Sequence, residues 1–443
     1  EQIARTFTNH PNAQALTLAE VAGAVAAAGD HTRARRLATD AEQIARTITY
    51  SKWQAQTLAE VAGAVVAAGD HTRARRLATD AEQIARTITY SNLRAETLAE
   101  VAGAVAAVGD HTRAEEIART ITYPFLQVQT LAEMAGAVAA AGDHTRAHRL
   151  ATDAEQIAHT ITDPDLQAQT LVEVAGAVAA AGDHTRAHRL ATDAEQIAHT
   201  ITDPDRQAWA LVRVAGAVAA AGDHTRAEEI ARTITYPDRR AQTLAEVAGA
   251  AAAASDHARA HRLATDAEQI AHTITDPDLQ AQTLVRVVGA VAAAGDHARA
   301  HRLATDAEQI AHTITDPDRQ AWALVRVVEA ATAAGDHTRA EEIARAITHP
   351  DRQARALARV AGAAAAAGDH TRAEEIARTI TDPFLRGQTL AEVAKVVGLP
   401  RAGHLLGEAF ALGSWLTPLR VLAMIRPQEV IRIADAIYAN DRS

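Results

Sequence analysis

Cysteine is absent from all 443 residues, which excludes a disulfide framework, thiolate metal sites and a cysteine nucleophile. Aromatic residues make up only 3% of a chain that is 48% apolar, so any core is built from Ala, Val, Leu and Ile and requires elements that approach closely. Lysine stands only at Lys52 and Lys395, and nearly all positive charge is arginine. The net charge of −11 argues against bulk binding to nucleic-acid phosphate, which needs a cationic footprint. No charge-free apolar run of about 18 residues occurs and no signal peptide is visible. A cytoplasmic protein with neither a nucleic-acid nor a membrane partner is expected.

What the chain does have is repetition. The hexapeptide GDHTRA at Gly29–Ala34 recurs letter for letter at seven later places, with near copies at Ser255 and Gly295. Motif starts are separated by 40, 40 and 33 residues, three times over, giving a 113-residue unit. A fixed period in this range marks one repeat array rather than two or three globular domains.

Within Ser51–Thr89, Leu58, Val61, Ala62 and Val65 follow helical spacing, and so do Ala74, Leu77, Ala78, Ala81, Ile84, Ala85 and Ile88. Each repeat therefore reads as two amphipathic helices. Gly69 ends the first and Asp70 caps the second. In later repeats Asp163 and its counterparts cap the next first helix, with Pro164 at its first position. Every third repeat shortens TRARRLATDAEQIAR to TRAEEIAR, as at Thr112 and Thr225. Losing seven residues turns the apolar stripe by only about 20° and shortens the helix by about 10 Å, so core register survives. The resulting notch is either a tolerated in-phase deletion or a functional feature.

Period, helix–turn–helix unit, Gly-Asp turn and small residues at Gly69, Ala74 and Ala78 resemble tetratricopeptide repeats (TPR) over residues 11 to 397. Leu58, Val61, Ala62 and Val65 occupy places where that family carries Trp, Leu, Gly and Tyr. The resemblance implies an all-α, right-handed superhelical solenoid of antiparallel helix pairs, about ten in number with the first truncated. Such Ala-rich arrays are also similar to the C-terminal repeat arms of bacterial STAND and NACHT-type signalling ATPases. Residues 1–397 are expected to form the repeat domain. Residues 398–443 abandon the repeat, bring Phe410, Trp415 and Met424, and are expected to be a helical cap with Pro427 opening a last helix. The opening EQIART matches Glu42–Thr47, mid-helix, so the chain reads as a fragment of a longer protein.

No phosphate-binding GxxxxGK[ST], zinc HExxH or nucleophile-elbow GxSxG occurs, and there are only five serines, so no enzyme activity and no cofactor is expected. The pairs His144/His148, His184/His188, His257/His261 and His297/His301 place two imidazoles one helical turn apart. A metal would need further converging ligands, and the second His is Arg or Glu in other repeats. Ten His follow the capping Asp, and full protonation of 21 His would carry the formal charge from −11 to +10, so acid is expected to loosen the stack.

If TPR geometry holds, first helices line a concave face. Their outward positions vary: Gln56, Glu96, Gln129, Gln169, Trp209, Gln242, Gln282, Trp322 and Arg355 at one, then Glu60, Glu100, Glu133, Glu173, Arg213, Glu246, Arg286, Arg326 and Arg359 at another. The row turns from acidic to largely basic. Trp209, Arg213, Arg286, Trp322, Arg326, Arg355 and Arg359 are therefore the candidate residues for binding a protein or peptide, Trp and Arg being frequent interface hot spots. The alternative is that each Trp packs over a neighbouring helix. Trp53, Leu166, Arg206, Arg239, Leu279, Arg319 and Arg352, near the inter-repeat turn, read as packing residues.

Overall fold

The computed structural model describes residues 11–27, 29–107, 109–413, 416–426 and 429. The opening EQIART, Trp415 and Pro427 lie outside the described residues. Among those described, the secondary structure is entirely helical, and a two-helix period runs from Pro11 to Ala411.

The turn inside each repeat explains the hexapeptide. At Gly69 the backbone is left-handed, with φ of 82°, which glycine adopts without a side-chain clash. The Gly69 and Asp70 amides donate to the Val66 and Val65 carbonyls, at 2.8 and 3.1 Å, closing a Schellman turn. Asp70 then accepts from the Arg73 amide at 3.1 Å. The same aspartate cap is present at all ten copies, from Asp30 to Asp369, at 2.9–3.2 Å. Each is worth about 1 kcal/mol. The final Ala of the motif is fully buried, as at Ala34 and Ala114. Among the described residues Ser255 stands alone as a non-glycine left-handed residue, with φ of 66°.

The deletion behaves as its length demands. Second helices of long repeats span 15–17 residues, whereas those of short repeats span 9–10. Ile117, in the short helix His111–Arg119, is as buried as Leu77 in the long helix His71–Arg86.

The chain forms two compact units, residues 1–160 with 415–443, and residues 161–414. In unit 1 the first helices are α1 (Pro11–Ala27), α3 (Ser51–Ala67), α5 (Ser91–Ala107) and α7 (Pro124–Ala140). They alternate with the second helices α2 (His31–Ala45), α4 (His71–Arg86), α6 (His111–Arg119) and α8 (His144–Ala158). In unit 2 the first helices are α9 (Pro164–Ala180), α11 (Pro204–Ala220), α13 (Pro237–Ala253), α15 (Pro277–Ala293), α17 (Pro317–Ala333), α19 (Pro350–Ala366) and α21 (Pro383–Ala394). The second helices between and after them are α10 (His184–Thr200), α12 (His224–Thr233), α14 (His257–Ala271), α16 (His297–His312), α18 (His337–Ala346), α20 (His370–Thr379) and α22 (Leu399–Ala411). Helix α23 (Leu416–Ile425) packs against α1 within unit 1.

In each unit a first helix packs on its own second helix and on neighbouring first helices. Leu58, Val61, Leu77 and Ala81 meet with nothing exposed. Alanine suits this layer because it carries no side-chain entropy cost in a helix and lets backbones come close.

Second helices reach one another through long side chains. Glu82, which is 2% exposed, receives Arg86 from its own helix at 2.7 Å and Arg113 from the next second helix at 2.5 Å. Arg73 grips Glu42 at 2.6 Å, Arg226 grips Glu195 at 2.8 Å, Arg339 grips Glu308 at 2.9 Å and Arg372 grips Glu341 at 2.7 Å. The arginine in every case is the fifth letter of the hexapeptide. A buried carboxylate costs several kcal/mol unless it is paired and hydrogen-bonded, so these pairs fix the register between repeats more than they add net stability. Beside Glu42, burial raises the carboxyl pKa, but the bonds from Arg73 and Arg46 outweigh it and hold the group below the usual carboxylate range. At Glu228 the bonds from Arg262 dominate and lower it likewise.

Candidate functional site: the exposed row of first helices

Because the inner faces of the first helices are spent on packing, chemistry is left to their outward positions. In unit 2, Trp209 on α11 is 55% exposed and Trp322 on α17 is 46% exposed. Each indole carries an arginine from the next first helix, Arg239 at 4.4 Å from the Trp209 centroid and Arg352 at 3.6 Å from that of Trp322. The two stacks sit 113 residues apart, and each spans a repeat whose second helix, α12 or α18, is short. Arg239 also donates to the Asp205 carbonyl at 3.0 Å. Arg239 and Arg352 thus do pack, as expected of their position, while about half of each indole stays open.

The other candidates divide by partner. Arg213 lies 3.9 Å from Glu173, Arg286 lies 2.8 Å from Glu246, and Arg359 pairs with Glu329, in each case across adjacent first helices. Arg326 is half-buried and Arg355 exposed, and neither has an ion-pair partner among the described residues. Crowding within the row pushes the Glu246 carboxyl up, and Arg286 pulls it partly back. Desolvation likewise lowers Arg213, opposed by Glu173 and Asp165.

Unit 1 presents a different row. A cleft of about 620 Å³ opens between α1, α3 and α5, with Trp53, Gln56, Glu60 and Glu100 on its walls and Leu16, Ala59 and Ala104 among its apolar residues. Sequence reasoning placed Trp53 among the packing residues; the structure leaves it 50% exposed and lining this cleft. The buried glutamates of the second helices escaped that reasoning as well. Their signal was present: one Glu stands at the same distance before every IAR or IAH.

The paired histidines have local uses. His188 lies 3.5 Å from Asp223 and His301 lies 3.1 Å from Asp336, each reaching the capping aspartate of the following repeat. Arg75 makes the equivalent contact with Asp110 at 3.6 Å. No group of three or more potential metal-ligating side chains converges among the described residues. No helix among them is long and apolar enough to cross a membrane.

The helix–turn–helix repeat, the first-to-first packing and the shared Gly-Asp turn define a TPR-like helical-repeat solenoid, all-α, with repeating antiparallel pairs. No protein-family model matches the chain, and no curated protein matches it either. Among solved structures it is similar to a Thermococcus onnurineus protein, at 16% identity and a TM-score of 0.34, covering 76% of this chain and 99% of that one. It is also similar to a STAND protein with a tetratricopeptide repeat sensor from Pyrococcus horikoshii, at 14% identity and a TM-score of 0.29 over 86% of this chain; it spans about half, 55%, of that chain. A third is a Rap protein complexed with competence and sporulation factor, at 14% identity and a TM-score of 0.28, over 76% of this chain and 99% of that one. The fold assignment rests on the packing; these likenesses assign no residue a role.

Proposed function

We propose that the chain is a noncatalytic recognition scaffold whose exposed row in unit 2 holds a protein or peptide, through Trp209, Arg213, Arg286, Trp322, Arg326, Arg355 and Arg359. The observation that carries this reading is the open half of Trp322 beside Arg326 and Arg355, two guanidinium groups without ion-pair partners among the described residues. Large half-exposed aromatics next to uncommitted arginines favour a partner that offers carboxylates beside an apolar side chain. Arg213, Arg286 and Arg359 would exchange their present glutamates for the partner's.

The test is a titration of the full chain with labelled peptides carrying Asp or Glu next to Leu or Phe. Binding should weaken by at least about tenfold in Trp322→Ala and in Arg326→Glu, a change of 1.4 kcal/mol. Unaltered affinity in both variants would remove this row from the function.

The repeat array supports a place as the sensor or interaction arm of a larger bacterial signalling or defence protein, working in the cytoplasm. Reading the gene upstream of the codon for Glu1 tests it: a nucleotide-binding module there supports the arm, and further repeats back to a start codon count against it. A second reading, self-assembly into a structural scaffold, draws on the near identity of repeats such as His148–Val172 and His261–Val285. Sedimentation across the micromolar range separates the two, since a recognition arm stays monomeric.

A further inference from the structure

We propose that the unit 1 cleft is a second binding site, distinct from the unit 2 row, and that it takes an extended peptide bearing arginine. The cleft's volume falls within the range of about 300–1,000 Å³ typical of ligand clefts. Its walls are mostly apolar and, among the described residues, include no Arg, Lys or His, whereas Glu60 and Glu100 both line it. Glu60 has no ion-pair or hydrogen-bond partner among the described residues. Among the described residues Glu100 accepts only from the Gln56 amide, and Lys52, on the same helix as Trp53, is taken by Glu96 at 3.2 Å. The cleft therefore carries two uncompensated negative charges in a largely apolar setting, a state a guest cation relieves.

Trp53 specifies which cation. Among the described residues its ring meets only Tyr50, 5.4 Å between centroids at 83°, an edge contact that covers at most one face of an indole left 50% exposed. The same chain shows what settles on such a face. Trp209 and Trp322 are each covered by a guanidinium, and that of Arg239 is held at its far side by Asp205. Trp53 has the aromatic ring and the acidic neighbours of that arrangement, but no arginine among the described residues supplies the middle layer. Guanidinium stacks flat on an indole while its N–H fork matches a carboxylate, a combination lysine lacks. A guest arginine on Trp53, with Glu60 and Glu100 taking its fork, completes the set, and the apolar floor around Leu16 and Ala104 receives the flanking chain.

The test is fluorescence anisotropy of the full chain with a labelled Gly-Arg-Ala-Arg-Ala-Gly peptide, against the same peptide with Gln for Arg. At low salt the arginine peptide should bind at least about tenfold tighter than the glutamine peptide, and the difference should shrink at high salt. Trp53→Ala, and the double change Glu60→Gln with Glu100→Gln, should each weaken binding about tenfold. These side chains line an open cleft, so circular dichroism should show both variants folded. Trp322→Ala and Arg326→Glu should bind the arginine peptide as the unaltered chain does, which separates this site from the unit 2 row. Equal affinity for both peptides, no binding at low salt, or unaltered binding by the double variant would each overturn the proposal.

Discussion

The two units share one skeleton and carry opposite surfaces. Glu82 with Arg113 in unit 1 and Glu195 with Arg226 in unit 2 stand 113 residues apart and make the same grip. Leu58 and Leu171, also 113 apart, are both wholly buried. Along the exposed row the units part: unit 1 carries Glu60, Glu100 and Glu133, whereas unit 2 keeps Glu173 and Glu246 but adds Arg213, Arg286, Arg326 and Arg359. No arginine among the described residues stacks on Trp53, whereas Trp209 and Trp322 each carry one. Packing requirements are similar in every repeat, so the buried layer exchanges one small or aliphatic side chain for another, as Met134 for Val247 and Ala175 for Val288; the exposed layer is free of that constraint, and recognition can differ along it.

The comparison can be broken first in the core. Leu58→Ala and Leu171→Ala should each destabilise by about 2–5 kcal/mol in urea unfolding, with matching values. A gap of more than about 1 kcal/mol, beyond normal scatter between equivalent sites, would mean the buried layers are not equivalent. Next comes the grip between second helices. Arg113→Ala and Arg226→Ala each leave a buried glutamate short of one partner, and each should cost about 2 kcal/mol by the same measurement.

Acid sharpens the same point. The lowered folded-state values of Glu42 in unit 1 and Glu228 in unit 2 mean that their stabilisation is complete above the ordinary glutamate value of about 4.3 and is lost as pH falls through the lowered values. Glu42→Gln and Glu228→Gln should therefore flatten the loss of stability below about pH 4. An unchanged pH slope would show that these carboxylates titrate as they do in the unfolded chain. The smallest effect is expected on the surface. Arg239→Ala should cost only about 0.5–1 kcal/mol but should shift Trp209 emission, and Arg352→Ala should do the same for Trp322. A change as large as that at Leu171 would make the stack a structural element.

Much of this was legible in the sequence because local chemistry dictates it. Gly69, Asp70 and Pro164 announce helix ends through backbone conformation and missing or unpaired amides, which depend on no distant partner. The short helices were predictable because seven residues nearly close two turns. The Arg113–Glu82 grip was not, since helical periodicity treats Glu82 as one more polar residue and says nothing of how far apart second helices lie. Arg239 over Trp209 was hidden for a related reason: the contact joins first helices separated by a turn, a short helix and another turn. Trp53 differs from both, because only the spacing of α1, α3 and α5 decides whether a cleft opens beside it.

The grip between second helices joins a glutamate to the arginine 31 residues further on at most of the described joints, as Glu42 to Arg73, Glu115 to Arg146 and Glu308 to Arg339, while Glu228 is held by Arg262, 34 residues further on. The first separation is the same whether the repeat holding the glutamate is long or short, because the deletion falls upstream of it. Joints within each unit are therefore cut to nearly one standard, and the tail of one repeat suits the head of another. A genetic crossover between two misaligned copies would delete or insert whole repeats and still leave a glutamate facing an arginine of the next hexapeptide or the one three residues beyond it. Length is thereby separated from foldability, and a lineage carrying such a gene can extend or trim its recognition surface in a single step.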